Sequence, residues 1–521
     1  MSFKKSDFIF LSLFIVFSLI YYHDFMNAAP QNVHIWRQTD CLSLTKHYQE
    51  GAPFFEPEMH EQFGDGYDSG KSAGEFPILY YTVGKVWSLF GVSYWSYRVL
   101  YLLILFFGLF SLYRSLQLIL KDDFWSISLP LLLFTSPVFA YYGVSFLTDI
   151  PSISFVLIAL YFFTLYQFKE RPKWLWFSML FFALAGLIKI SSLIIFIFLG
   201  AVLLIETVSK FKTLRERKLF QHLKLEWIGF SSVFVVIFAW YYYASLYNAE
   251  HGFKYTFNDI HPFWKMEGEA GTQVVAKIKD FSSMIFFSRP MLWLFFFIGL
   301  FNLINFKSQP LFSWLANVII ALGVLFYALL WFPLLGVHDY YWGAMVVIFL
   351  STLVPFIYYV KETNVALLKS KKLRILFSSF LIINLIYCGS MISLKKFSTD
   401  GLYPLIGNHE TVSLMRWFNH DHQTNTMRYE RMRPYLKEIG VTENDKVITM
   451  DDETFNATLF LMNRKGWTGF VPLTDELMKD YIEHGAKYLF VDNPESLKLD
   501  FIQPYIQHPV GNFEGVQIFK L

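Results

Sequence analysis

Long apolar runs separated by short polar breaks fill the chain from residue 8 to residue 393. A helix crossing a bilayer needs about 20 predominantly apolar residues. By that measure the stretches 8–27, 96–119, 124–145, 149–168, 172–188, 190–206, 227–247, 290–306, 311–335, 342–360 and 373–393 read as about eleven spans. A further stretch, "EFPILYYTVGKVWSLFG" (75–91), is apolar but carries Pro77, Gly84 and Lys85. It reads as a juxtamembrane helix lying in the interface. Beyond Lys395 the pattern changes. "DKVITM" (445–450) and "AKYLFVD" (486–492) read as short buried strands, and 474–484 as an amphipathic helix ending at Gly485. "GVQIFKL" at the end reads as an edge strand. The expected fold is an α-helical polytopic membrane protein with a small C-terminal α/β domain. Its domains are 1–393, in which 28–95 is a loop with juxtamembrane helices, and 394–521.

Charge orders these elements. Lys and Arg collect in "KERPK" (169–173), "KFKTLRERK" (210–218) and "KSKKLR" (369–374), and Lys4 and Lys5 open the chain. The positive-inside rule puts such loops in the cytoplasm. All of them fall inside only if 75–91 does not cross. The segment 28–95, the turn at Asp149, the loop 248–289, the turn 336–341 and everything after 393 then share the outer side. The first apolar run follows a basic start, and no convincing small-residue cleavage site follows it, so it reads as an uncleaved span.

Composition agrees with this and excludes other classes. Of 521 residues, 55% are hydrophobic, 20% aromatic and only 17% charged, below the quarter or so charged residues of soluble domains. A net charge of +2 does not suit a nucleic-acid binder. Two cysteines, Cys41 and Cys388, are too few for a disulfide framework or a zinc site.

The candidate chemistry lies at the outer ends of the spans. "HIWRQTD" (34–40) packs a histidine, a tryptophan, an arginine and an acid just after the first span. Asp40 reads either as a general base for an incoming hydroxyl or amine or as the N-cap of the helix that follows. Arg37 can grip a phosphate or carboxylate with two parallel hydrogen bonds. Trp36 suits an interface anchor or a platform for a sugar or isoprenoid. His34 is a phosphate donor, proton carrier, metal ligand or solvated loop residue. Asp149, in "SFLTDIPS", is an N-cap or a second acid that orients the acceptor or holds a metal with Asp40. Lys189, in "GLIKIS", either snorkels or meets an anionic lipid phosphate. His338, Asp339, Tyr340 and Tyr341 share the turn "VHDYYW", where an aromatic belt accounts for the tyrosines but not for the His-Asp pair. Arg98, at the start of its span, and Glu75 complete the outer set. Glu58, Glu61, Asp65 and Asp68 read as a solvated loop face.

Taken in order, these residues resemble the GT-C class of polytopic glycosyltransferases, which includes protein mannosyltransferases and aminoarabinose transferases of lipid A. The resemblance rests on the acid after the first span, the loop "GEFPILYYTVGKVWSLFG", the arginine of "SYRVL", the "TDIP" turn, "GLIK" and "HDYYW". "HIWRQTD" with "HDYY" is more narrowly similar to a bacterial, family-39-like subgroup. The resemblance implies a sugar donor on a polyprenyl phosphate, entering from the bilayer of a bacterial inner membrane. It implies a glycan, lipid or protein acceptor arriving from the outer, periplasmic side. Asp40 would then be the base and Asp149 a second acid, with Lys189, Arg37 and His338 receiving the leaving phosphate. A divalent metal, Mg or Mn, serves some members of the class and not others. The chain has Thr39-Asp40 where protein mannosyltransferases show an Asp-Glu pair. Rival readings are a transporter, which would place charge near the bilayer midplane, a glycan ligase or polymerase built on an arginine-histidine pair, and a membrane sensor.

Overall fold

The chain begins with four helices: α1 (Lys5–Tyr22), α2 (Ile35–Gln49), α3 (Ile78–Phe90) and α4 (Tyr94–Leu120). The computed structural model describes residues 4–31, 34–63, 70–208, 219–252, 260–266, 270–305, 307–395, 416 and 420–521. The basic run 210–218 and the acids Asp65 and Asp68 lie outside the described residues. Among the described residues, eight helices are long and apolar enough to cross a membrane. They are α1, α4, Asp149–Lys169, Ile190–Val208, Leu223–Glu250, Phe312–Leu330, Asp339–Thr363 and Lys371–Lys395. Three shorter apolar helices, Asp123–Phe134, Pro172–Ile188 and Arg289–Ile304, fall on the three remaining apolar runs. Many large side chains on these helices point outward, among them Phe107, Phe238 and Phe296. Each would forgo about 1.5–3 kcal/mol of burial in water, so these faces belong against lipid.

Ion pairs and hydrogen bonds show which helix ends share a side. At one end Asp7 of α1 meets Arg114 of α4 at 2.7 Å, and Asp122 meets Arg374 at 2.6 Å. Lys361 donates to the Ile119 carbonyl there, and Tyr166 to Glu226. This is the end of the basic runs 169–173 and 369–374. At the opposite end Arg98 reaches back to the carbonyls of Met26 and Ala28. The segment before α3 is also held at that end, where Phe76 donates its N–H to Leu187 O. The α3 C-terminal turn returns there too, with Trp87 Nε1 donating to Ser93 O and Ser96 Oγ. Both ends of α3 therefore lie on one side, as expected of a helix that does not cross.

Close approach tightens the bundle where small residues allow it. A Cβ on Gly84 would stand 2.7 Å from Tyr48 Cβ and 2.8 Å from the Thr45 carbonyl, so α2 and α3 pack backbone to backbone. Their shared apolar cluster includes Leu44, Tyr48, Tyr80, Val83 and Trp87.

The C-terminal domain is a five-stranded sheet in the order β2-β1-β3-β5-β4. The strands are β1 (Lys446–Thr449), β2 (Gly466–Thr468), β3 (Ala486–Val491), β4 (Pro509–Phe513) and β5 (Val516–Lys520). β1 pairs in parallel with β2 and β3, and β5 runs antiparallel to β3 and β4. The terminal strand expected at an edge is thus internal, with Leu489 opposite Phe519 on one side and Phe513 opposite Val516 on the other. The edge on that side is β4, whose Pro509 and Gly511 weaken its strand signal. Glu514 and Gly515, both at positive φ, make the tight hairpin turn that adds it. The helix Asp475–Glu483 is capped by Thr474, which accepts from Leu477 N, and stops before Gly485 at φ +95°. The β2 edge is covered by the loop after α2. Gly466 N donates to Glu61 O and Phe63 N to Gly466 O, both at 2.9 Å. The sheet domain therefore sits at the end of the bundle that carries α2 and α3.

Candidate active site

The first two turns of α2 organise two charged clusters. His34 is the helix N-cap, at φ 59° and ψ 38°, and its side chain makes no cap hydrogen bond. That left-handed backbone is uncommon for a residue with a Cβ, and here it leaves the imidazole free to turn toward other elements. Asp40 lies inside α2, in its second turn, and so is not the cap. Three residues apart on a helix means one face, and Arg37 Nη1 stands 3.8 Å from Asp40 Oδ2.

Arg37 Nη2 donates to Glu75 Oε1 at 2.5 Å. Lys189 Nζ reaches the same oxygen at 3.3 Å and Asp149 Oδ1 at 3.6 Å. Asp149 is the first residue of its helix, with Thr148 as the N-cap, so it too is not a cap. A helix start still favours its negative charge. Lys189 occupies the break between Pro172–Ile188 and the 3-10 turn Ile190–Leu193, with Tyr341's ring 5.7 Å from its ammonium. Three carboxylates and two cations thus meet at one end of the bundle. Asp40 is wholly buried, and Arg37, Glu75 and Asp149 are each 6% exposed. Burying an ion without partners costs several kcal/mol, and the pairing shows in the proton affinities. Burial alone would raise the Glu75 carboxyl, but Arg37 and then Lys189 hold it down to about 2. Burial would lower the Lys189 ammonium, yet Asp149 and Glu75 raise it. Glu75 Oε2 and Asp149 Oδ2 are buried with no hydrogen-bond partner among the described residues. Leaving such acceptors unmatched costs about 1–3 kcal/mol each, a cost that a hydroxyl-bearing ligand would relieve.

The second cluster shares α2 through His34. Its Nε2 lies 2.9 Å from Asp339 Oδ1, and its Nδ1 lies 3.4 Å from His338 Nδ1. Asp339 also accepts from Tyr142 and Lys395. The Lys395 ammonium sits over the rings of Tyr141 and Tyr142, and Tyr340's ring is 5.0 Å from that of His34. Burial, and then the neighbouring His34, push His338 down to about 3, so it is a neutral imidazole at ordinary pH.

The fold therefore brings Asp40, Asp149, Arg37, Lys189, His34, His338, Asp339, Tyr340 and Tyr341 to one end of the bundle. Two expected residues face elsewhere. Arg98 is fully buried between the rings of Phe25 and Phe146, 4.4 and 4.3 Å away, and ties the end of α1 to α4. Desolvated contacts of that kind reach about 2 kcal/mol each. Trp36 packs on Phe455 and Phe470 of the C-terminal domain and so helps dock that domain. Glu61, expected on a solvated face, is 1% exposed and bound by Ser43, Lys46 and His60. Two of those partners, Ser43 and Lys46, lie 18 and 15 residues away, so its surroundings are not legible locally. Glu75 was noticed only as an outer acid, and Lys395 and Tyr142 were missed. Lys395 carried one signal, a lysine closing an apolar helix on the side where the positive-inside rule expects few. Among the described residues no group of three His, Cys, Asp or Glu side chains is placed to hold a metal ion. The carboxylates are spaced around Arg37 and Lys189.

Residues 74–243 match the family described as dolichyl-phosphate-mannose-protein mannosyltransferase. The matched stretch contains Glu75, Arg98, Asp149 and Lys189. No curated protein matches the chain significantly. Solved structures share its fold at low identity. ArnT from Cupriavidus metallidurans is 13% identical, with a TM-score of 0.55 over 98% of this chain and 97% of that one. It has been solved both in the apo state and bound to undecaprenyl phosphate. The archaeal oligosaccharyltransferase AglB from Archaeoglobus fulgidus, in complex with an inhibitory peptide and a dolichol-phosphate, is 11% identical. Its TM-score is 0.53 over 93% of this chain and 69% of that one. The arabinofuranosyltransferase AftD from Mycobacteria is 11% identical, with a TM-score of 0.51 over 100% of this chain and 40% of that one.

Proposed function

We propose that this polytopic membrane protein of the GT-C glycosyltransferase class moves a sugar from a polyprenyl-phosphate-linked donor to a glycan, lipid or protein acceptor. The reaction would take place at the outer face of a bacterial inner membrane. The observation that carries this reading is the cluster at the membrane end of α2. A buried acid, Asp40, stands one helical turn from Arg37, which shares Glu75 with Lys189.

In this reaction Asp40 removes the proton of an acceptor hydroxyl as that oxygen attacks the anomeric carbon. The bond from that carbon to the phosphate oxygen breaks, and polyprenyl phosphate leaves with the electron pair. Negative charge then grows on the phosphate, where the Arg37 guanidinium and Lys189 ammonium meet it. Fixed cations in a site that excludes water are worth more than in solution and need no reorganisation at the moment of reaction. Glu75 keeps both cations in place before the donor arrives. Asp149, at a helix start beside Lys189, offers a free carboxylate oxygen for a second sugar or acceptor hydroxyl. His34, held through both ring nitrogens by Asp339 and His338, fixes the edge of the same site.

Asp40→Asn is the test. The carboxamide keeps the shape and removes the base, so transfer from a polyprenyl-phosphate sugar should fall about 10²–10⁴-fold, while undecaprenyl phosphate binding is retained. Transfer at the wild-type rate would sink the base assignment and favour a ligase that works without a carboxylate.

A further inference from the structure

A cavity lies at the C-terminal end of α2, between the loop that follows it and the C-terminal domain. Its volume is about 540 Å³, within the ~300–1,000 Å³ range of small-molecule sites. Lys46, Gln49 and Glu50 enter it from α2, about 9–15 Å along the helix axis from Asp40 at a rise of ~1.5 Å per residue. From the other side come Arg433, Arg464 and Lys465.

The charges in this cavity are unevenly matched. Glu61 is taken by Lys46 at 2.9 Å and by His60 at 3.0 Å, and His60 also binds Glu50 at 2.7 Å. Arg433 donates only to the carbonyls of Phe460 and Leu461. Arg464 donates to those of Val441, Met462 and Asn463. Neither guanidinium has a carboxylate partner among the described residues, and Lys465 makes no ion pair there either. Glu443 is the one lining acid without a pair among the described residues. Arg464 is 4% exposed, and its buried Nε has no hydrogen-bond partner among the described residues. Arg433, Arg464 and Lys465 therefore line the cavity outside any ion pair among the described residues, with Glu443 and Asp445 acting on Arg464 only at longer range, and one buried donor is unused.

The rest of the lining narrows the ligand class. Gln49 and Asn444 each offer a donor and an acceptor from one planar amide, while the Asn463 amide oxygen accepts from Lys46 and leaves its NH2 as the donor. Tyr94 and Phe460 add ring surface, as does Trp87, whose Nε1 is already bound elsewhere and which therefore presents its ring. Paired amides beside aromatic faces match the alternating hydroxyls and C–H faces of a sugar. Guanidiniums match the planar oxygens of a carboxylate or phosphate.

We propose that this cavity binds an anionic saccharide, a segment of the acceptor that carries uronic acid or phosphate groups. The assignment rests on the glycosyl-transfer reading above and adds to it a class of acceptor. Calorimetry on the full-length protein in detergent tests it with trigalacturonate, uncharged maltotriose and triglutamate. Trigalacturonate should bind at least tenfold more tightly than either control. Lys465→Glu and Arg433→Gln should each weaken trigalacturonate at least tenfold. Lys465 is half-buried and touches no catalytic group, so its variant reports even if Arg433→Gln folds poorly. Equal binding of maltotriose would overturn the charge argument, and equal binding of triglutamate would overturn the saccharide assignment. Unchanged affinity in Lys465→Glu would place the ligand outside this cavity. Asp40→Asn, measured in parallel, should keep trigalacturonate binding, so failure of the cavity and failure of the base appear in different assays.

Discussion

The two ends of the helix bundle use the same residue types to opposite effect. At the end carrying the basic runs, Asp7 accepts from Lys4 N, Tyr113 and Arg114, and both of its oxygens are used. Asp122 caps its own helix through Trp125 N and pairs with Arg374. Those acids act as latches. At the other end Asp40, Glu75 and Asp149 outnumber Arg37 and Lys189, and buried oxygens of Glu75 and Asp149 go unmatched among the described residues. A saturated pair has nothing left to offer a ligand, whereas an under-matched cluster holds free energy that binding can release. Glu226 at the basic end also keeps one buried oxygen without a partner among the described residues, so what sets the other end apart is three acids gathered around two shared cations.

The largest effect that would sharpen this contrast is the loss of transfer in Asp40→Asn described above, with the thermal melting point close to wild type. Next is Lys189→Met, which leaves Glu75 and Asp149 buried without their shared cation. Removing one partner of a buried ion pair costs about 3–5 kcal/mol. Undecaprenyl phosphate affinity should fall about tenfold or more, since that loss removes one of two cations meeting the phosphate. An unchanged affinity would break the assignment of Lys189 to the phosphate.

Acid stability gives a smaller and separable signal. Glu75, depressed to about 2 in the folded protein, contributes stability that is present above its unfolded value near 4.5 and is lost as pH falls toward 2. His338, depressed to about 3, stays neutral when folded while its unfolded form takes a proton below about 6.5. The unfolded state therefore binds more protons across that window, and stability again falls with pH. Glu75→Gln should flatten the loss between about pH 4.5 and 2, and His338→Gln the loss between about 6.5 and 3. Denaturation scans in detergent across that range check both, and a wild-type slope in either variant would contradict its assignment. The smallest effect on transfer is expected at the latched end. Asp7→Asn removes one partner of a buried pair with Arg114, so stability should fall by about 3 kcal/mol, while transfer, the readout that matters here, changes less than twofold. A large loss of transfer would mean the two ends are coupled and would undo the comparison.

Much of the architecture was legible because it depends on local pattern. Apolar runs of bilayer length placed the helices, and the basic runs grouped their ends as the ion pairs do. Loop charge together with Pro77, Gly84 and Lys85 sets "GEFPILYYTVGKVWSLFG" apart from the spans, and its helix Ile78–Phe90 is not among the eight long enough to cross. The strand at 509–513 was not legible, because Pro509 and Gly511 hide an edge strand, and the last strand therefore reads as an edge rather than an internal strand. Asp40 and Asp149 looked like helix caps because their helices start at or before them, and short polar turns do not mark the first residue of a helix.

The sequence by itself determined that the chain is a membrane bundle with a small appended sheet, and that its unusual polar residues sit at one set of helix ends. Hydrophobic length and loop charge are properties of neighbours in the chain, so they can be read there. Only the tertiary structure decided which of those residues meet. It joined Arg37 to Glu75 and Lys189 to Asp149, linked His34 to Asp339 and Lys395 across more than three hundred residues, buried Arg98, and set Trp36 against the C-terminal domain. Pairing of charges depends on distance in space and on exclusion of water, and neither is written in the order of residues.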